Sequence, residues 1–169
     1  MITGGTTYHI QVGGFHYSSG DSSGILRLSV TPPGLQYFAL ASPVRLLDTR
    51  AGATVGCDLP AAPLAAGDPA RVEPGRNTCG IPLAARTLIG NGTVAVGGPT
   101  TPGCAGAVGY ITLYPSDAPA RPTVANVNYT AGAIVNTAYT VGLGAAGAFK
   151  IYASTCTEFI VDVSGYFAP

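Results

Sequence analysis

The chain has 169 residues and no net charge at neutral pH, with eight basic and eight acidic side chains; it therefore has no basic stripe, and nucleic acid is excluded as an expected partner. The 24 Gly and 14 Pro residues, together with many Thr, Val and Tyr, are typical of an all-β protein. No apolar run approaches the roughly 20 residues that a membrane-spanning helix needs, so no membrane span is expected.

The first 33 residues predict a β-hairpin. Residues 6–15 and 24–30 alternate between apolar and polar side chains, and the polar segment 16–24 lies between them as a turn. Two successive prolines in Thr31–Gly34 then interrupt strand pairing. Because an isolated hairpin is marginally stable in water, we expect it to pack on the rest of the chain, on another copy or on an upstream domain. Residues 1–33 are thus predicted as a separable unit from 34–169.

The four cysteines predict two disulfides. None forms a C-x-x-C pair and no histidine lies near them, so no metal site is expected. Turn residues flank each of them, which favours disulfides in an oxidising, extracellular or cell-surface compartment. Three pairings are open, and four reduced buried cysteines are the alternative. We favour Cys57–Cys79, which would close a long loop, and Cys104–Cys156, which would tie two strand ends.

Strand candidates follow a long irregular stretch, 51–85, in which little alternation is visible. Asn91-Gly92 and Gly144–Gly147 are predicted tight turns. The spacing of the candidates is typical of an antiparallel β-sandwich, jelly-roll-like or immunoglobulin-like, and we expect the first strand of this module to lie beside the last. The candidates are 86–96, 107–114, 123–129, 134–142, 147–153 and 157–167.

Four charged residues lie inside apolar runs: Arg45, Asp48, Arg50 and Asp162. Burial of an unpaired carboxylate is costly. We therefore expect structural ion pairs between these arginines and aspartates that hold the first strand against the last. A role in a ligand pocket is the alternative.

Three asparagines, Asn126, Asn128 and Asn136, lie on strand-like segments, and Tyr129 follows Asn128 directly. Asn126 and Asn128 are two residues apart, so they are expected to face the same side of a strand. Amide groups suit both sugar hydroxyls and unpaired backbone groups. These four residues are the candidate ligand-binding residues, with glycans as the ligand class, although satisfaction of the backbone is the simpler interpretation.

Catalysis has no support in the residue pattern. The only histidines, His9 and His16, both lie in the N-terminal hairpin, and no G-x-S-x-G segment is present. The carboxylates show no spacing typical of a glycosidase pair. We therefore expect no enzyme activity, no catalytic residues and no cofactor.

Four segments occur in an order that resembles a known family: PVRLLDTR at 43–50, GYITLYP at 109–115, PTVANVNY at 122–129 and IVDVSGYF at 160–167. Together they resemble an uncharacterised β-module of bacterial cell-surface and secreted proteins. The N-terminal hairpin is similar to the end of a pre-peptidase C-terminal-type β-sandwich. These resemblances imply export and a β-sandwich fold.

The predicted function is that of a non-catalytic extracellular module for adhesion or assembly, with copies of itself or cell-surface glycans as partners. Two alternatives stay open. The chain could be a subunit of a filament or surface layer, joined by strand addition through the hairpin, or a carbohydrate-binding module of a secreted hydrolase.

Overall fold

The computed structural model describes residues 34–58, 62–95 and 108–169, together with the backbone of two short strands before them. These two strands, β1 (His16–Tyr17) and β2 (Gly20–Asp21), pair antiparallel. The chain divides into two compact units, Met1–Pro32 and Pro33–Pro169. The strands predicted at 6–15 and 24–30 lie outside the described residues.

The second unit is a sandwich of two four-stranded antiparallel sheets, and the predicted all-β sandwich is confirmed. The first sheet has the order β3-β10-β5-β8 and the second has the order β4-β9-β6-β7. Across the described residues, no helix is long and apolar enough to cross a membrane. The strands are β3 (Gln36–Asp48), β4 (Arg71–Pro74), β5 (Thr87–Ala95), β6 (Gly109–Pro115), β7 (Val127–Tyr129), β8 (Ile134–Gly142), β9 (Ala148–Ala153) and β10 (Glu158–Ala168).

The first and last strands of the module are neighbours, as predicted, because β3 pairs antiparallel with β10. The pairing is regular at both ends and irregular in the middle, where the register shifts between Val161 and Asp162 and again between Val163 and Gly165. On the other side, β10 pairs with β5 along nearly its whole length. β10 is therefore an inner strand, and β3 and β8 form the two edges of the first sheet.

The core lies between the two sheets and follows the alternation of the strands. On β5, Leu88 and Val94 are fully buried while their neighbours along the strand are half-buried. Each fully buried aliphatic or aromatic side chain contributes about 1.5–3 kcal/mol of hydrophobic free energy. The largest buried apolar side chains are Leu46, Leu47, Ile81, Leu88, Val94, Ile111, Phe149, Ile151, Phe159, Val161 and Val163.

The predicted turn at Asn91-Gly92 is wrong, because both residues lie in the middle of β5. A side chain at Gly92 would meet the Phe159 ring, since a Cβ built there lies 2.8 Å from Phe159 Cζ. The glycine makes room for a core aromatic residue of the neighbouring strand. The turn at Gly144–Gly147 is confirmed: the Gly147 N–H donates to the Gly144 carbonyl at 2.7 Å, and Gly147 has a φ of 78°.

Two further boundaries differ from the sequence-based prediction. The stretch 51–85 contains a strand, β4, which pairs with β9 and is too short to show alternation in the sequence. The strand predicted at 123–129 shrinks to β7, Val127–Tyr129. Its predicted first half does not pair as a strand, because the Asn126 side chain accepts the Leu113 N–H at 2.7 Å in place of a main-chain carbonyl.

Candidate functional site

The four charged residues predicted to form ion pairs lie together on β3 and β10 and in the turn after β3. Arg45 donates to both carboxylate oxygens of Asp162, with Nε–Oδ1 at 2.8 Å and Nη2–Oδ2 at 3.1 Å. Asp48 is 1% exposed and accepts from Arg45 at 3.3 Å and from Arg50 Nε and Nη2 at 2.9 and 2.7 Å. The hydrogen bonds from Arg50 hold the pKa of Asp48 below its usual value. The charges satisfy one another, which makes the cluster a structural joint between the two strands.

The candidate asparagines do not converge on one site. Asn126 is half-buried and bonds to the backbone of β6, both through its side chain and through its own N–H, which donates to the Ile111 carbonyl at 2.8 Å. Asn136 is exposed on β8 in the other sheet. Only Asn128 lies beside Tyr129 in a surface depression.

That depression is an open groove of about 500 Å³ beside β6 and β7. Tyr129 is buried, and its hydroxyl donates to the Thr155 carbonyl at 3.0 Å. Ser154 accepts the Tyr110 N–H at 2.8 Å. Much of the polar lining is therefore engaged within the protein, and the exposed Asn128 amide is the group best placed to meet a ligand. The lining residues are Val108, Gly109, Tyr110, Asn128, Tyr129, Thr130, Val135 and Ser154.

The predicted Cys57–Cys79 disulfide is present, and the Cα atoms of the two cysteines are 5.8 Å apart. The bond joins two residues 22 positions apart in the irregular stretch, and the loop that it closes includes β4. Cys156 is also disulfide-bonded. Cys104 lies outside the described residues, so the Cys104–Cys156 pairing stays a prediction.

A buried acid that the sequence did not single out lies on β4. Glu73 is 0% exposed and receives one hydrogen bond, from Arg71 Nε to its Oε2 at 3.0 Å. Its Oε1 has no hydrogen-bond partner among the residues that the structure describes. Arg71 also binds Asp58, next to the disulfide. Burial raises the pKa of Glu73 to about 7, against the opposing effect of Arg71. The only sequence signal for this strand is the alternation of polar and apolar residues in Arg71-Val-Glu-Pro74, and four residues are too few to predict a strand with a buried face.

The four sheet edges differ in how they are protected. β3 carries Pro43, Arg45 and Asp48 and has an irregular register; β4 has four residues, including a proline; and β7 has three residues. Charges, prolines, irregularities and short length all hinder the addition of a further strand. β8 has none of these features: its nine residues, IVNTAYTVG, contain no charge and no proline, and Ile134 is 78% exposed.

The exposed edge of β8 is therefore the strongest candidate interaction site among the described residues, and the sequence analysis missed it. The run of uncharged β-formers was visible, but nothing in the sequence placed this strand at an edge. Comparisons with known proteins add no relative, since no family model, no curated protein and no solved structure matches the chain.

Proposed function

We propose that this chain is a non-catalytic module of an extracellular or cell-surface bacterial protein and acts in adhesion or assembly. The observation that carries the proposal is the edge of β8, nine uncharged residues long, without the features that natural sheets use to prevent edge pairing. Unpaired main-chain groups along such an edge recognise an extended segment by main-chain hydrogen bonds.

The Cys57–Cys79 disulfide supports an oxidising compartment, because disulfides persist in exported proteins and are rare in reducing ones. The resemblance to bacterial surface modules in four ordered segments points the same way. Export and assembly together describe a building block or adhesive domain at the cell surface.

The experiment is a concentration series of the purified, non-reduced protein, followed by sedimentation velocity and electron microscopy. The proposal expects association that increases with concentration, and regular filaments or sheets would favour the filament or surface-layer subunit over a separate adhesive module. A protein that stays monomeric across the series, with no binding to bacterial cells, would overturn the proposal.

The groove beside β6 and β7 favours a second candidate function, carbohydrate binding. It combines the exposed Asn128 amide with the half-buried Tyr110 in an open depression of about 500 Å³, and amides and aromatic rings suit sugar hydroxyls and sugar faces. A glycan array with the wild type and Asn128→Ala tests it. Binding that Asn128→Ala loses supports a glycan site, and an array without binding rejects it.

A further inference from the structure

On one side of β8 no described strand pairs. The main-chain groups on that side can be assigned from the hydrogen bonds at the end of the strand. The Leu143 N–H donates to the Arg86 carbonyl at 2.8 Å, so the backbone of Leu143 points toward the chain of β5. In an antiparallel pair, the main-chain groups of alternate residues point to opposite sides. Residues 135, 137, 139 and 141 therefore point toward β5, and residues 134, 136, 138, 140 and 142 point away from it.

The opposite edge of the sheet leads to the same assignment. Thr49 N–H donates to the Phe159 carbonyl at 3.1 Å, and Phe159 N–H donates to Thr49 Oγ1 at 2.7 Å, so the backbone of Phe159 faces β3. Ile160 must then face β5, where it is paired with Thr93. Val94, the next residue of β5, faces β8 and is paired with Val135. The hydrogen bonds at β3 and those at the end of β8 therefore give the same result: the even-numbered residues of β8 point their N–H and C=O groups away from β5.

The same even-numbered residues carry the exposed side chains of β8: Ile134, Asn136, Ala138 and Thr140 are exposed, and Gly142 is half-buried. None of them carries a charge. A second strand laid along this edge meets five residues that can each give and accept a main-chain hydrogen bond, and it meets no side chain that would repel a copy of the same strand.

We propose that the partner of this edge is a second copy of the chain, joined by antiparallel pairing of β8 with β8 about a two-fold axis at Ala138. This inference rests on the proposed function and names the partner for its assembly site. With the axis at Ala138, all nine residues pair, Ile134 lies opposite Gly142, and Asn136 lies opposite Thr140 of the second copy. The five outward residues of each strand then form about ten main-chain hydrogen bonds, and the two sheets become one continuous sheet.

Charge and register favour this partner over the other edge of the same sheet. β3 carries Arg45 and Asp48, and its pairing is interrupted opposite Val163–Gly165, close to Pro43. A nine-residue strand cannot pair with β3 through that interruption without losing hydrogen bonds. Pairing of β8 with itself matches an uncharged strand to an uncharged strand and is closed by symmetry, which produces a discrete dimer instead of an open fibre.

The test uses the full chain and two variants with substitutions at the same positions. Asn136→Lys with Thr140→Lys places like charges opposite each other twice in the dimer, whereas Asn136→Lys with Thr140→Glu places opposite charges there. We expect the first variant to weaken the dimer about tenfold and the second to restore it to near the wild-type affinity. Thr123→Lys with Ala125→Lys, at exposed positions of another surface, is the matched control with the same added charge.

Sedimentation equilibrium measures the affinities, and circular dichroism confirms that each variant is folded. Hydrogen exchange of the wild type provides a second readout that needs no variant, because the outward amides of Asn136, Ala138 and Thr140 become protected only when the protein is concentrated enough to pair.

Each other outcome overturns a defined part of the inference. If both double variants weaken association equally, β8 accepts a different strand and self-pairing is wrong. If the wild type and the Lys–Lys variant associate equally and the amides stay unprotected, the joint lies elsewhere, β8 pairing is wrong and the assembly function stands. A wild type that never associates removes both β8 pairing and assembly.

Discussion

Arg45 and Asp162 lie opposite each other in the register of β3 and β10, and the guanidinium donates to both oxygens of the carboxylate at 2.8 and 3.1 Å. The pair sits where the register shifts between Val161 and Asp162. The main-chain pairing of β3 with β10 is irregular at that point, and the hydrogen bonds between the two side chains connect the strands there. Both side chains are 30% exposed, which places the pair between a surface ion pair and a buried one.

Removal of this ion pair should destabilise the sandwich moderately. We expect Asp162→Ala to lower the free energy of unfolding by about 1–2 kcal/mol, more than a surface pair and less than a buried one, because solvent screens part of the interaction. Urea unfolding of Arg45→Ala, Asp162→Ala and the double variant measures the coupling. A coupling energy of zero would show that the two residues act independently.

The Cys57–Cys79 disulfide should stabilise the module through the unfolded state. It joins two residues 22 positions apart in the chain, and for a loop of that size the chain-entropy model gives about 3 kcal/mol. Replacement of both cysteines by serine should lower the free energy of unfolding by about that amount while Cys156 keeps its own bond. Urea unfolding without reductant compares the stability of the variant with that of the wild type. Equal stability would show that the disulfide does not stabilise the module.

Glu73 should make stability depend on pH. Its pKa is raised from 4.5 to about 7 in the folded protein because the carboxyl is buried. The folded state therefore holds the proton more tightly than the unfolded state. The stabilisation is complete below pH 4.5 and is lost as the pH rises toward 7 and above, with a total on the order of 3 kcal/mol.

The variant Glu73→Gln cannot ionise and should lose this pH dependence, while Arg71 keeps Asp58 as a partner. The difference in unfolding free energy between the wild type and Glu73→Gln, measured from pH 4.5 to 8, removes the contributions of all other titrating groups. The difference should shift in favour of the variant as the pH rises. A difference independent of pH would show that Glu73 titrates normally.

Gly90 should tolerate no side chain. It lies on β5, paired with Val163 of β10, and a Cβ built there overlaps the Asp162 carbonyl and approaches Tyr139 Oη to 2.8 Å. Because a backbone carbonyl cannot move aside freely, Gly90→Ala should cost about 1–3 kcal/mol. Gly34→Ala, which meets nothing within 4 Å, is the matched control and should leave stability unchanged. Thermal unfolding of the two variants compares them, and equal melting temperatures would contradict the close approach.

The strands of the module could be predicted from the sequence because their signals are local. A run of β-branched and aromatic residues marks β8, and the glycines at 144–147 mark a tight turn, whereas Asn91-Gly92 in β5 predicted a turn that the structure does not have. Charged residues inside apolar runs were also informative. Because buried charges need partners of opposite charge, ion pairs could be predicted for Arg45 and Asp162. The same reasoning indicated that the first and last strands are neighbours.

The burial of Glu73, the use of Asn126 as a backbone acceptor and the edge position of β8 were decided by the tertiary structure alone. Each depends on which segment lies beside which, and sheet order arises from pairings between residues far apart in the chain. β8 has a sequence that would suit an inner strand equally well, because its residues favour pairing on either side. Among the described residues, the order β3-β10-β5-β8 leaves one side of it without a neighbouring strand, and that side carries the proposed function.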